Sequence, residues 1–152
     1  MTEVQRITDQ LKRAFEGDAW HGSAVRELLA DVSAKSAATR PIANAHSIWE
    51  IVNHVLAWHV GVRRRVEGEV VELTGVREWP PVSDTSASSW QVTLDTLEKS
   101  YRDLMSTVAR LDDSHLYATV RGGTSTVYFQ LHGLIQHDLY HAGQIALLKK
   151  AA

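Results

Sequence analysis

His137 and His141 stand four residues apart in the run His137-Asp138-Leu139-Tyr140-His141. If residues 127 to 149 form a helix, that step brings both imidazoles onto one face, one turn apart. Two neutral imidazoles so spaced can grip one divalent ion, provided that a third ligand arrives from elsewhere in the fold. The run also has the spacing of the zinc-protease HExxH motif, with aspartate in place of glutamate. The extended protease pattern requires glycine at 144 and histidine at 147, where this chain has Gln144 and Leu147. The other protease class needs a distant downstream glutamate, and the residues after His141 include no acid. Peptide hydrolysis does not fit.

At about 100° per residue, a final helix carries Gln130, Leu134, His137, His141, Gln144 and Leu148 on one narrow strip. The two histidines therefore lie between leucines on a buried face, where each ring nitrogen needs a partner to offset its burial. Hydrogen bonds to Gln144 or to backbone would satisfy them as plain core residues. His54 moves the balance toward metal. It lies at the edge of the apolar stripe of the second long helix, beside Ile51 and Trp58, and near the middle of that helix. Inward-facing groups at the middle of different helices meet in a bundle core, where bundle metal sites are built. Three histidines with one or two open positions describe a catalytic type of site rather than a closed structural one.

The remaining histidines are weaker candidates. His46 precedes a helix cap, His59 lies along the packed stripe, and His115 falls in a loop. His132 points about 140° away from His137. His21, beside Trp20 and Gly22, reads as a loop contact or a pocket-lining residue. Glu50, one turn before His54, has the position of a fourth ligand or a supporting partner, but a capping role accounts for it. The sequence singles out no catalytic residue beyond the three ligands.

The elements that must position these residues are helical. Val4, Ile7, Leu11, Ala14 and Phe15 form a helical stripe ending near Gly17, and a short helix follows Ser23. Residues 33–45, small and polar with Pro41, read as a loop. Ser47-Ile48-Trp49-Glu50 is a capping box opening a helix to about Glu67, roughly 30 Å long. Its stripe is Ile48, Ile51, Val52, Val55, His59, Val62 and Val66. Gly68 to Ala87 is a long connection containing Trp79-Pro80-Pro81, long enough for the next helix to cross the bundle instead of returning as a hairpin. Trp90, Leu94, Leu97, Tyr101, Leu104, Val108 and Leu111 then make a 3.5-residue seam, the mark of left-handed bundle packing. Residues 117 to 129 read as a small hairpin or extended loop. The final helix starts near Thr126 and is apolar almost all round, which predicts cover on both sides, from its own bundle or from a second subunit. The expected architecture is all-α: residues 1–152 form a single four-helix bundle with a long crossover between the second and third long helices and one short extra helix.

Composition bounds the function. The 152 residues include 44% hydrophobic and 22% charged residues, ordinary for a globular chain. The formal net charge of −2 gives no bulk attraction to nucleic acid or anionic membrane. The absence of cysteine leaves histidine and carboxylates as the strong metal ligands. No signal-peptide pattern or transmembrane run is present, so a cytoplasmic protein is expected. Arg63-Arg64-Arg65 reads most simply as cations favourable to a helix C-terminal dipole, contact with an acidic substrate being the alternative. Arg121-Gly122-Gly123-Thr124 lacks the lysine and spacing of a phosphate loop.

The final-helix run His137-Asp138-Leu139-Tyr140-His141-Ala142-Gly143-Gln144-Ile145 resembles the C-terminal signature of the DinB/YfiT-like metalloenzyme superfamily. Ser47-Ile48-Trp49-Glu50-Ile51-Val52-Asn53-His54 is similar to its second-helix motif, and Trp20-His21-Gly22 to a tryptophan-glycine feature before the short helix. The resemblance spans nearly the whole chain. It implies a four-helix bundle, often dimeric, holding a divalent metal on three histidines, which map onto His54, His137 and His141. Members include metal-dependent transferases and isomerases that use low-molecular-weight thiols, alongside many proteins of unknown activity.

The leading expectation is a thiol S-transferase in which a divalent ion, zinc or nickel, lowers the pKa of a bound thiol, with a small-molecule substrate and the thiol as co-substrate. A metal-dependent hydrolase is the alternative, and a non-catalytic metal-binding bundle the rival from another class. A homodimer is expected, with no nucleic-acid or membrane partner.

Overall fold

Thr2, Ser47, Ser86 and Thr126 each accept a hydrogen bond from the backbone N–H three residues on, and each starts a long helix. In the computed structural model, which describes residues 1–152, the four long helices are α1 (Glu3–Phe15), α4 (Ile48–Val66), α5 (Ala87–Val108) and α6 (Val127–Ala151). Two short helices, α2 (Val25–Leu29) and α3 (Ala34–Ala38), lie between the first two long ones. The capping box expected at Ser47 is present, with Glu50 Oε2 accepting from the Ser47 backbone N–H at 2.7 Å. Glu50 therefore serves the helix start, where it also pairs with Arg40.

One expectation is corrected. The stretch 33–45 is not all loop, because Ser33 and Ser36 cap each other's backbone and open the five-residue helix α3. The bundle thus carries two short extra helices rather than one. Within 117–129 the extended structure shrinks to a single antiparallel bridge between Thr119 and Thr126, preceded by a 3₁₀ turn at Asp113–Tyr117.

Helix direction follows from the cross-contacts. Arg65 meets Gln130 and His54 meets His137, so α4 and α6 are antiparallel. Trp49 meets Thr93 and Glu67 meets Thr107, so α4 and α5 run the same way. That parallel pair is what the long connection permits. The connection does not stand off from the bundle: Leu73 lies so close to α4 that a Cβ on Gly61 would sit 2.5 Å from its Cδ1. Trp90 Nε1 donates to the Val32 carbonyl at 2.8 Å and ties α5 to the short-helix segment. No helix is long and apolar enough to cross a membrane.

The interior divides into two apolar clusters. One gathers Ile51, Val52 and Val55 of α4 with Ala142, Ile145 and Leu148 of α6. The other gathers Val62 of α4 with Leu131, Leu134 and Ile135 of α6. Between them, on the facing sides of α4 and α6, falls a polar layer.

Candidate metal centre

That layer holds His54 from α4 with His137 and His141 from α6. Their metal-capable atoms all lie within 4.8 Å of one another. His137 Nε2 is 2.9 Å from His54 Nε2 and 3.1 Å from His141 Nε2. Bonds of about 2.0–2.1 Å to a tetrahedral zinc would separate such nitrogens by roughly 3.3 Å, so the spacing suits one ion. His54 and His141 are buried and His137 half-buried.

The far nitrogens decide the tautomers. His54 Nδ1–H donates to the Glu78 backbone carbonyl at 2.8 Å, and His141 Nδ1–H donates to Gln144 Oε1 at 2.6 Å. Both rings therefore present bare Nε2 lone pairs toward the third ring. His137 Nδ1 is buried without a hydrogen-bond partner, and the nearest carboxylate oxygen, Asp138 Oδ1, is 4.0 Å away. Without a cation, a neutral His137 that donates between the rings turns a lone pair toward that carboxylate. With a cation, all three Nε2 lone pairs are used and the His137 proton faces negative charge. The donor set thus fits a divalent ion.

Electrostatics agree. Burial, together with repulsion from His137, pushes the His141 imidazole down to about 4, against the opposing hydrogen bond to Gln144. Burial lowers His54 as well, partly offset by the Glu78 carbonyl. Both rings are held neutral, the state that ligates.

Several parts of the site depend on contacts between residues distant in sequence. Trp79 stacks on His54 with ring centres 3.8 Å apart and planes 8° from parallel, and His46 stacks on Trp79, again at 3.8 Å. Asn53 Nδ2 donates to the Pro80 carbonyl at 3.3 Å, holding the same strap. The Glu78-Trp79-Pro80 segment was legible only as a connection, although its tryptophan between a glutamate and two prolines was a signal of ordered packing. Asp138 is buried against His59, Nε2 lying 3.0 and 2.9 Å from its two oxygens. An acid on a helix apolar almost all round was the available signal. Burial alone would raise the Asp138 carboxyl, but its interactions with His59 and His137 hold it below the ordinary aspartate range. His115 and His132 lie away from the cluster, beside Asp112 and Glu3 respectively, and His21 is an exposed loop residue.

Three imidazoles from two facing helices thus converge inside a helical bundle, a donor set able to hold one metal ion. The chain belongs to the DinB superfamily, whose family model matches residues 18–145. Its structure is similar to the crystal structure of a conserved protein from Enterococcus faecalis, with a TM-score of 0.71 at 17% identity. That likeness covers 99% of this chain and 97% of the other, and at this identity it speaks for the fold alone. Comparison with curated proteins gives no match.

Proposed function

We infer that the protein is a divalent-metal-dependent enzyme acting on a small molecule, and that its reaction is transfer of an externally supplied thiol to an electrophile. The observation that carries this reading is the convergence of three Nε2 atoms, two of them fixed as bare donors by Glu78 and Gln144. His54, His137 and His141 would hold zinc or nickel, which would supply the Lewis acidity that lowers the pKa of a thiol or water.

The chain's own residues do the rest. The Glu78 carbonyl and the Gln144 amide keep protons at Nδ1 of His54 and His141, so that neither ring turns its lone pair away. Trp79 covers one face of His54 and keeps water from that side. Asp138 is 1% exposed and held against His59, so it is not placed to take a proton from water. A thiol, with a free pKa of about 8.5, needs less help than water to ionise at neutral pH, and this favours thiol transfer over hydrolysis. With no cysteine in the chain, the sulfur must come from a low-molecular-weight thiol, which a cytoplasmic setting keeps reduced. Tyr140 and Leu147 are exposed on the outer side of α6, and we assign that face to a homodimer.

Elemental analysis of the purified protein, followed by an anomalous-scattering map, tests the reading. One ion per chain on His54, His137 and His141 is expected. A protein that arrives without metal and takes up neither zinc nor nickel overturns it.

A further inference from the structure

Between α4 and α6, a cleft of about 260 Å³ adjoins the histidine cluster, with His137 in its wall. Trp58, Val62, Phe129 and Leu134 make its apolar lining, and Arg65 stands among them. Arg65 differs from its neighbours in sequence. Arg63 and Arg64 pair with Glu67 and Glu69, whereas Arg65 is half-buried and takes part in no ion pair.

Its guanidinium is nevertheless fixed. Nε and Nη2 donate to the Val71 carbonyl at 3.0 and 2.9 Å, and Nη1 donates to Gln130 Oε1 at 3.1 Å. A guanidinium has five N–H groups, so these three bonds leave others unspent. The guanidinium carbon lies 5.4 Å from the centre of the Trp58 ring, and that ring lies 5.6 Å from the His137 ring. Trp58 therefore links the cation to the histidine cluster. Its indole Nε1 is buried and has no acceptor.

A partly desolvated cation without a counter-ion costs free energy that the chain's neutral acceptors do not fully repay. A planar fork held by neutral groups, with N–H donors to spare, matches a carboxylate in shape and charge. The apolar walls suit a hydrocarbon body, as in other pockets with a few placed polar groups. We propose that this cleft binds a small organic carboxylate, its anionic group on Arg65 and its apolar body along Trp58, Val62 and Leu134, with the opposite end toward the histidine cluster. The proposal rests on the metal-enzyme reading and gives that enzyme its substrate class: a carboxylic acid whose reacting end is separated from its charge by a short apolar body.

The test compares 3-phenylpropanoate with 3-phenylpropanamide, a pair differing in charge but little in shape, by calorimetric titration of the zinc-loaded protein. The carboxylate is expected to bind about tenfold more tightly. Arg65→Met, which keeps an aliphatic stem over Trp58, should erase that preference while metal content stays unchanged. Equal binding of the two ligands by the wild type, or no binding of either, overturns the proposal. A preference that survives Arg65→Met places the anion on the metal and also overturns it. Because Arg65 supports Val71 and Gln130, a second variant leaves it intact. A Cβ on Gly133, in the cleft wall, meets no atom within 4 Å, so the side chain of Gly133→Leu starts into open space, and an unchanged helical circular dichroism spectrum checks that the bundle is kept. This variant should weaken both ligands at least tenfold, and undiminished carboxylate binding by it overturns the proposal. Metal content measured on the same samples keeps the two readings apart: a protein that takes up no metal yet prefers the carboxylate through Arg65 retains the cleft and loses the metal enzyme.

Discussion

His59 of α4 and Asp138 of α6 form a pair that is 0% and 1% exposed, with the imidazole Nε2 shared between both carboxylate oxygens. His59 lies five residues beyond His54, and Asp138 is next to His137, so the pair pins the register of the two helices that carry the cluster. Removing one partner leaves the other buried and unpaired. Asp138→Ala should lower stability by about 3–5 kcal/mol in urea unfolding. Replacing both by leucine should recover much of that loss, because no buried charge is then stranded. An unchanged urea midpoint for Asp138→Ala would mean that the pair does not hold the helices.

Metal stoichiometry should depend on three histidines and no others. Alanine at His54, His137 or His141 should abolish one-to-one binding, while alanine at His115 or His132 should leave it intact, read by elemental analysis. Gln144→Ala removes the acceptor that holds His141 in its ligating tautomer and should weaken affinity about 10–100-fold with the helical content unchanged. Full metal retention in His54→Ala would remove α4 from the site.

Much of this site was legible because it depends on local periodicity. A step of four on a helix sets His137 against His141, and the Ser47–Glu50 box fixes where His54 falls on α4. The seam from Trp90 to Val108 likewise needs nothing beyond its own spacing, and α5 follows it. What was not legible depends on contacts distant in sequence. Nothing in Glu78-Trp79 states that a 20-residue connection will fold back onto His54, and nothing in Arg65 states that it turns inward while Arg63 and Arg64 find acids. The helix α3 was missed for a different reason, since five residues are too few for a period to register and only Ser33 and Ser36 mark it.

The pH dependence of metal-free stability has a definite sign. An unfolded histidine titrates near 6.5, whereas folded His141 is held down to about 4, and His54 is lowered too. Between those values the unfolded chain binds protons that the folded chain does not, so stability rises with pH. It should therefore be fully present above about pH 6.5 and decline as pH falls toward 4. Asp138, lowered in the fold, adds a further loss as pH drops through the ordinary aspartate range near 3.9 and below. Urea midpoints from pH 7 to pH 4 check this, and His141→Leu should flatten the curve. Metal should leave over the same interval, and an ion still bound at pH 3.5 would exclude an all-histidine site.

Tyr140 and Leu147 are 65% and 58% exposed on the outer side of α6, more apolar surface than a helix facing water ordinarily carries. A second copy packed there would cover it. Sedimentation at micromolar concentration should give twice the chain mass of 16.9 kDa. Leu147→Glu, away from the histidine cluster, should shift the protein to monomer without changing its metal content. A wild-type monomer at that concentration would leave this face to some other role.

The chemistry is decided by what occupies the position that the three imidazoles leave open. Sulfur is a softer donor than water and should displace it from a site of borderline imidazole ligands. Adding a small thiol to cobalt-substituted protein should therefore produce a sulfur-to-metal charge-transfer band. The chain contains no cysteine, so such a band can arise only from the added thiol. It should disappear in His137→Ala, which loses the ring lying between the other two. Trp79→Ala, which uncovers His54 without touching a donor nitrogen, should keep the band but speed thiol exchange, because water gains access to that face. A spectrum indifferent to thiols, with ester hydrolysis confined to the metal-loaded protein, would transfer the assignment to hydrolysis. If neither response is seen while removing the metal lowers the unfolding midpoint, the ion serves the fold alone.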